Sequence, residues 1–258
     1  MRINTNVGAL DAARNLFLVQ RDVESSMGKL SSGLRINHAS DDAAGLAIAN
    51  KLRTSTRALT VAANNAEQAN AMLQIAEGSA TQIQRILERQ KELYIQRASS
   101  QNNGQTASLD SEYSTLSDEA ARIVNSTNFQ GADVFGASLS FKVSDTTASG
   151  ASTIDISIAL SASDVSAGTS AATDVSSLLD TVNTALGTIG AAQNRLGYAI
   201  ANIKAAIVNQ SAAESTIRDV DMASEMAMFT KNNILAQAGT AMLAQANQSG
   251  QSVLSLLR

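Results

Sequence analysis

Apolar residues recur at alternating spacings of three and four across the first half of the chain. They run Leu52, Ser55, Leu59, Ala62, Ala66, Ala69, Leu73, Ala76, Ala80, Ile83, Leu87, Gln90 and Tyr94. The rhythm lasts about six heptads, with Ser55 and Gln90 as polar interruptions. Such a stripe covers one narrow side of a helix, so it predicts a long helix with a seam for partner helices. Its many alanines let a partner backbone come close. Asp41 and Asp42 stand at its start, where carboxylates accept from free N–H groups and meet the positive end of the helix dipole. The break QNNGQ ends the run. Leu109, Tyr113, Leu116, Ala120 and Ile123 then predict a second helix. Val175, Leu179, Val182, Leu186, Ile189, Gln193, Leu196, Ile200, Ile203 and Ile207 predict a third, over residues 174–214. The fold class is therefore mainly α, an elongated antiparallel bundle of three helices.

Residues 129–172 change character. Gly, Ser, Thr and Ala dominate and the helical period is lost. FKVSD and TIDISIAL alternate apolar with polar and are joined by DTTASG, which predicts a small β-hairpin. The segment is too short to carry a core of its own.

The two ends follow another logic. Ala9, Ala13, Leu16, Gln20, Val23, Met27, Leu30 and Leu34 keep the three-four rhythm near the N-terminus. Near the C-terminus Met222, Phe229, Ala236, Leu243, Gly250 and Leu257 recur at sevens, and Met228, Leu235 and Met242 form a neighbouring stripe. That helix is apolar over an arc wider than one partner covers. Both ends ask for partners, and this points to self-assembly.

Composition narrows the chemistry. Aromatic residues make up 3% of the 258, against 44% hydrophobic, and there is no Pro and no Trp. Nothing interrupts a helix by removing a backbone donor, and the core must be built from aliphatic residues. The absence of Cys excludes disulfides, thiol nucleophiles and zinc ribbons. A single His, His38, makes a multi-His metal site impossible. No catalytic or metal site and no cofactor is expected. The net charge of -4 disfavours sequence-independent nucleic-acid binding. The opening MRINTNVGALDAARNL lacks the apolar run of a signal peptide, and no stretch approaches a membrane span. Export, if it occurs, is expected to use no conventional cleaved signal.

Four segments resemble bacterial flagellin: MRINTNVGALDAARNL, LSSGLRINHASDDAAGLAIANKLR, GAAQNRLGYAIANI and ILAQAGTAMLAQANQSGQSVLSLLR. They occur in the family's order and the likeness spans nearly all of 1–135 and 174–258. The resemblance implies a short form without large variable outer domains. It implies a structural, non-enzymatic subunit, exported unfolded and assembled outside the cell into the flagellar filament for motility. The implied division is 1–40 for the N-terminal part of the filament-core coiled coil, 41–128 for half of the bundle and 129–172 for the hairpin connector. Residues 173–215 supply the other half of the bundle and 216–258 the C-terminal part of the coiled coil. Filament-core packing then falls to Leu16, Val23, Met27, Leu30, Met222, Phe229, Leu235, Met242, Leu243 and Leu257. The implied partners are further copies of the chain, an export chaperone, and the cap and hook–filament junction proteins. No nucleic acid and no membrane is expected. A junction protein sharing the terminal helices is the nearest alternative, and a soluble helical scaffold the next. The complete ending QAGTAMLAQANQ with VLSLLR favours the filament subunit over both.

Other features have plainer readings. His38 is a polar loop residue and Asp41 and Asp42 are helix caps. Asn125-Ser126-Thr127 matches a glycosylation triplet, although Ser and Thr between Ser138 and Ser170 suit O-linked sugar better. LERQKELYIQRAS resembles the flagellin stretch read by the innate Toll-like receptor, with Arg89, Glu92 and Leu93 matching and expected to share one outer face. Glu88 and Thr115 depart from the recognised pattern, which implies weak recognition.

Overall fold

A computed structural model describes residues 6–99, 104–144, 153–163 and 172–256. In chain order the elements are α1 (Val7–Ser32), α2 (Ala43–Ala98), α3 (Thr106–Ser126), β1 (Asn128–Phe129), β2 (Ala132–Asp133), β3 (Ser138–Lys142) and β4 (Thr153–Ser157). Two further long helices follow, α4 (Ala172–Arg218) and α5 (Met222–Leu256). The fold is a mainly helical bundle with small β-hairpins. Two compact units divide it, one of residues 55–209 and one of residues 1–54 with 210–258.

The 55–209 unit is built on the seam of α2. Leu59, Ala62, Ala66, Ala69, Leu73, Ala76, Ala80, Ile83, Leu87 and Gln90 are all buried. The three-four rhythm of the sequence is thus the packing stripe itself. Helix α4 runs antiparallel beside α2, with Glu67 paired to Lys204 at 2.9 Å and Glu77 accepting from Gln193 at 2.9 Å. Helix α3 also runs antiparallel to α2. Gln90 Nε2 donates to the Tyr113 carbonyl at 3.2 Å, so this polar member of the buried line has its partner where the two helices meet. A buried amide left unpaired would cost about 1–3 kcal/mol.

On α4 the buried line is Val175, Leu178, Val182, Ala185, Ile189, Ala192, Leu196 and Ile203. The sequence predicts Leu179, Leu186 and Gln193 on this line, each one residue too late, while Ile200 and its neighbour Ala199 are both half-buried. Small Ala185 and Ala192 take the closest positions, and the bulkier Leu179, Leu186 and Ile200 pack against the core from its edge. After Val175, Val182 and Ile189 the packing line steps three residues and then four, where the sequence is read as four and then three.

The β segments cover the bundle. In β3–β4 Ser138 faces Ser157 and Lys142 faces Thr153 in antiparallel register. Ile154, Ile156, Ile158 and Leu160 are buried at a strict period of two. They join the core of α2, α3 and α4, so the hairpin supplies a lid to a shared core, as its length required. Its linking residues DTTASG lie outside the described residues. A second, shorter hairpin pairs Asn128 with Asp133 and Phe129 with Ala132. Its turn holds Gln130 at φ 53 and Gly131 at φ 83, the two positive angles of a type I′ turn. Gln-Gly is a weaker signal than Asn-Gly, and the sequence reading missed it.

Candidate self-assembly surface

Helices α1 and α5 form an antiparallel pair. Asn6 caps α1 by accepting from Ala9 N–H at 3.2 Å, and its Nδ2 donates to the Ala246 carbonyl at 2.8 Å. Along the pair Ala9, Ala12, Leu16, Val19, Val23, Ser26 and Leu30 of α1 turn inward, mostly half-buried. Glu225, Phe229, Asn232, Ala236, Gly239, Leu243 and Ala246 do so on α5. The seven-residue spacing of Phe229, Ala236 and Leu243 is therefore the pairing stripe of α5. Gly239 lies against Leu16 of α1: a Cβ there would stand 3.2 Å from Leu16 Cδ1 and 3.9 Å from its Cα. On α1 the sequence reading chose Ala13, Gln20 and Met27, each one residue late. Met27 is exposed and Ser26 is buried in its place, because the narrow approach admits a small side chain. Leu257 lies outside the described residues.

A two-helix pair can hide only one stripe of each helix, and the rest stays open. Met228 is 57% exposed, Leu235 45% and Met242 64%. They flank the stripe of Phe229, Ala236 and Leu243, one residue earlier in each heptad. Met222, Met226 and Ile234 are exposed as well, and α1 adds Val7, Leu10, Phe17 and Met27. The wide apolar arc read from the sequence is thus real, and its uncovered part contains Met222, Leu235 and Met242. Leu10 and Phe17 were missed. Their spacing of seven, one residue after Ala9 and Leu16, was the signal.

The chain returns to this pair through a tight junction. Gly33, at φ 71, ends α1 in the left-handed conformation, and its N–H donates to the Lys29 carbonyl at 2.8 Å. Leu34 bridges to Asp219. Arg35 donates its backbone N–H to the Arg218 carbonyl and its guanidinium, at 2.6 Å, to the Ile217 carbonyl, satisfying the open C-terminal end of α4. Of the paired acids, Asp42 caps α2 by accepting from Gly45 N–H at 2.9 Å. Asp41 instead accepts from the backbone N–H groups of His38 and Asn37, at 2.9 and 3.0 Å, and so closes the loop before the helix. Those two bonds, His38 first, hold its carboxyl below the usual value. Asp221 caps α5 through Ala223 N–H at 3.0 Å. A Cβ on Gly45 would lie 2.8 Å from Ile36 Cδ1 and press on the Asp42 carboxylate. Gly45→Ala should therefore displace the cap and lower stability by about 1–3 kcal/mol. Urea denaturation measures it, and an unchanged midpoint would contradict the close packing.

Arg89 lies on the outer side of α2. It donates to Glu92 at 3.0 Å and to Glu112 of α3 at 3.0 Å, and these carboxylates, Glu92 first, raise its affinity for the proton. Leu93 does not share that face. It is 1% exposed. At this level α3 runs alongside α2, and the buried positions of α2 include Leu93 as well as Gln90. The half-buried Tyr94 lies at their edge. Among the described residues no group of three or more His, Cys, Asp or Glu is placed to hold a metal ion. No described helix is long and apolar enough to cross a membrane.

These features define a class: a helical structural protein whose two ends pair and expose apolar flanks. Residues 3–140 match the bacterial flagellin N-terminal helical region and residues 173–257 the C-terminal helical region. The chain is 40% identical to the flagellin of Halalkalibacterium halodurans and 38% identical to that of Bacillus subtilis, each over the whole of both chains. It is 37% identical, again end to end, to the flagellar filament 33 kDa core protein of Treponema phagedenis. The chain belongs to the bacterial flagellin family. It is an extracellular structural subunit of the flagellar filament, and neither the junction protein nor the soluble scaffold is favoured.

Proposed function

We propose that the open flanks of the α1/α5 pair are the surface through which copies of this chain pack into the filament. One observation carries this reading. Helix α5 pairs through Phe229, Ala236 and Leu243 and still exposes Met228, Leu235 and Met242 alongside them. Patches of this kind on a single subunit mark interaction surfaces, and in a homopolymer the occupant is another copy. The sequence divisions 1–40 and 216–258 are then the paired filament core. Residues 41–128, 129–172 and 173–215 form the outer bundle and its connector.

The remaining partners follow from the same surface. Before assembly an export chaperone covers it, and at the growing end the cap and, at the base, the junction proteins meet it. The role is structural, with no catalytic step. Weak recognition by the innate receptor rests on Arg89 and Glu92, with Leu93 supporting the helix from below. Trypsin tests the assembly reading. Arg14 and Arg21 on α1 and Lys231 on α5 are exposed in the single chain. They should be cut at least tenfold more slowly in filaments than in monomer. Equal rates would place the assembly surface elsewhere.

A further inference from the structure

Six methionines fall within the described residues. Met72 is 3% exposed in the core of the 55–209 unit. Met27, Met222, Met226, Met228 and Met242 are each about half exposed or more, and all five lie on α1 or α5. The chain has no Cys, so no thiol competes for an oxidant. Oxidation of a thioether follows its exposure. We infer that these five methionines are a selective site of modification by peroxide in the unassembled chain, and that their oxidation disarms it for polymerisation. The inference rests on the proposed assembly surface.

The chemistry is balanced by peroxide alone. A sulfur lone pair attacks one oxygen of hydrogen peroxide, an S–O bond forms and the O–O bond breaks. The departing hydroxide takes a proton and leaves as water. The sulfur is oxidised by two electrons to the sulfoxide and the peroxide is reduced. The product is polar and has a strong acceptor oxygen. On a free monomer water satisfies that oxygen. Between two packed subunits it meets apolar neighbours such as Leu10, Phe17 and Leu235, and an unpaired buried acceptor opposes association. Met228 and Met242 sit two heptads apart on one flank, so two sulfoxides would disturb the same contact line. Assembly reverses the exposure, and a finished filament should shelter the sulfurs that its monomer offers. A sulfoxide is also reducible, so the modification is a reversible brake on subunits that have not yet been built in.

The test treats monomer and filament with hydrogen peroxide, follows each methionine by peptide mass spectrometry and measures seeded growth. Met27, Met222, Met226, Met228 and Met242 should oxidise at least tenfold faster than Met72 in monomer. Growth of the oxidised monomer should fall at least tenfold and return after treatment with the two epimer-specific sulfoxide reductases. In a variant with all five changed to Leu, whatever growth from seeds it retains should not fall further on peroxide treatment. Undiminished growth of fully oxidised monomer would overturn the inference, as would a five-Leu variant still stopped by peroxide. Should that variant fail to grow, the reductase rescue decides, and absence of rescue overturns it. Equal oxidation of the five in monomer and filament would instead count against the assembly surface itself.

Discussion

Leu235→Asp should stop growth of filaments from seeds while leaving the monomer folded. Leu235 lies on the open flank of α5, 45% exposed in the single chain. In the free subunit the new carboxylate stays hydrated and disturbs little. Packed against a neighbouring copy it becomes a buried charge without a partner, which costs roughly 3–5 kcal/mol. At 1.4 kcal/mol per tenfold, that is more than a hundredfold in subunit affinity, repeated for every subunit added. Leu243→Asp makes the contrast. Leu243 is half-buried on the stripe that faces α1, so its carboxylate attacks the pair within one chain. It should stop growth too, with loss of helicity in the monomer. Circular dichroism and electron microscopy of both variants separate the cases. Normal filaments from Leu235→Asp would mean that this flank stays wet after assembly.

Leu87→Ala should destabilise the 55–209 unit by about 2–5 kcal/mol. Leu87 is fully buried in the seam of α2 and belongs to the core that α3, α4 and the β3–β4 hairpin share. Removing it leaves a cavity that three helices and a sheet cannot easily collapse. Ile95→Ala deletes a similar side chain near the end of the same helix, where it is 62% exposed, and should change stability by no more than about 0.5 kcal/mol. Chemical denaturation of the two variants checks the ratio. Comparable losses would show that Leu87 is less tightly packed than its burial indicates.

The long seam of α2 was legible because a period of three and four admits one reading when it persists from Leu59 to Gln90. Seams on α1 and α4 were legible in kind and misplaced by a residue at several positions. There the line steps three residues and then four from Ala9, Leu16 and Val23 on α1 and from Val175, Val182 and Ile189 on α4, and the sequence pattern alone also accommodates four and then three. The strands were read from Ile154, Ile156 and the alternation around them. The short β1–β2 hairpin had only two paired residues on each side and was not read. Leu93 failed for a different reason. A helix wheel shows which residues share a face of α2, and it does not show that α3 runs alongside at that level. The apolar excess of α5 was plain from its heptads, whereas the split between Leu243, facing α1, and Met242, facing outward, needed the position of α1.

The bond from Asn6 to the Ala246 carbonyl and the bridge from Leu34 to Asp219 join parts of the chain that are far apart in sequence. Helix α1 has no mate until α5 exists, however long it waits. The junction at Gly33 cannot close around Val220 until more than two hundred residues have been made. The proposed assembly surface therefore needs both ends of the chain, whereas the core of residues 55–209 draws only on residues between them. A truncated or half-made chain carries the body of the subunit without its clasp. Joining the two ends and presenting the proposed assembly surface are thus one event in the geometry of the chain.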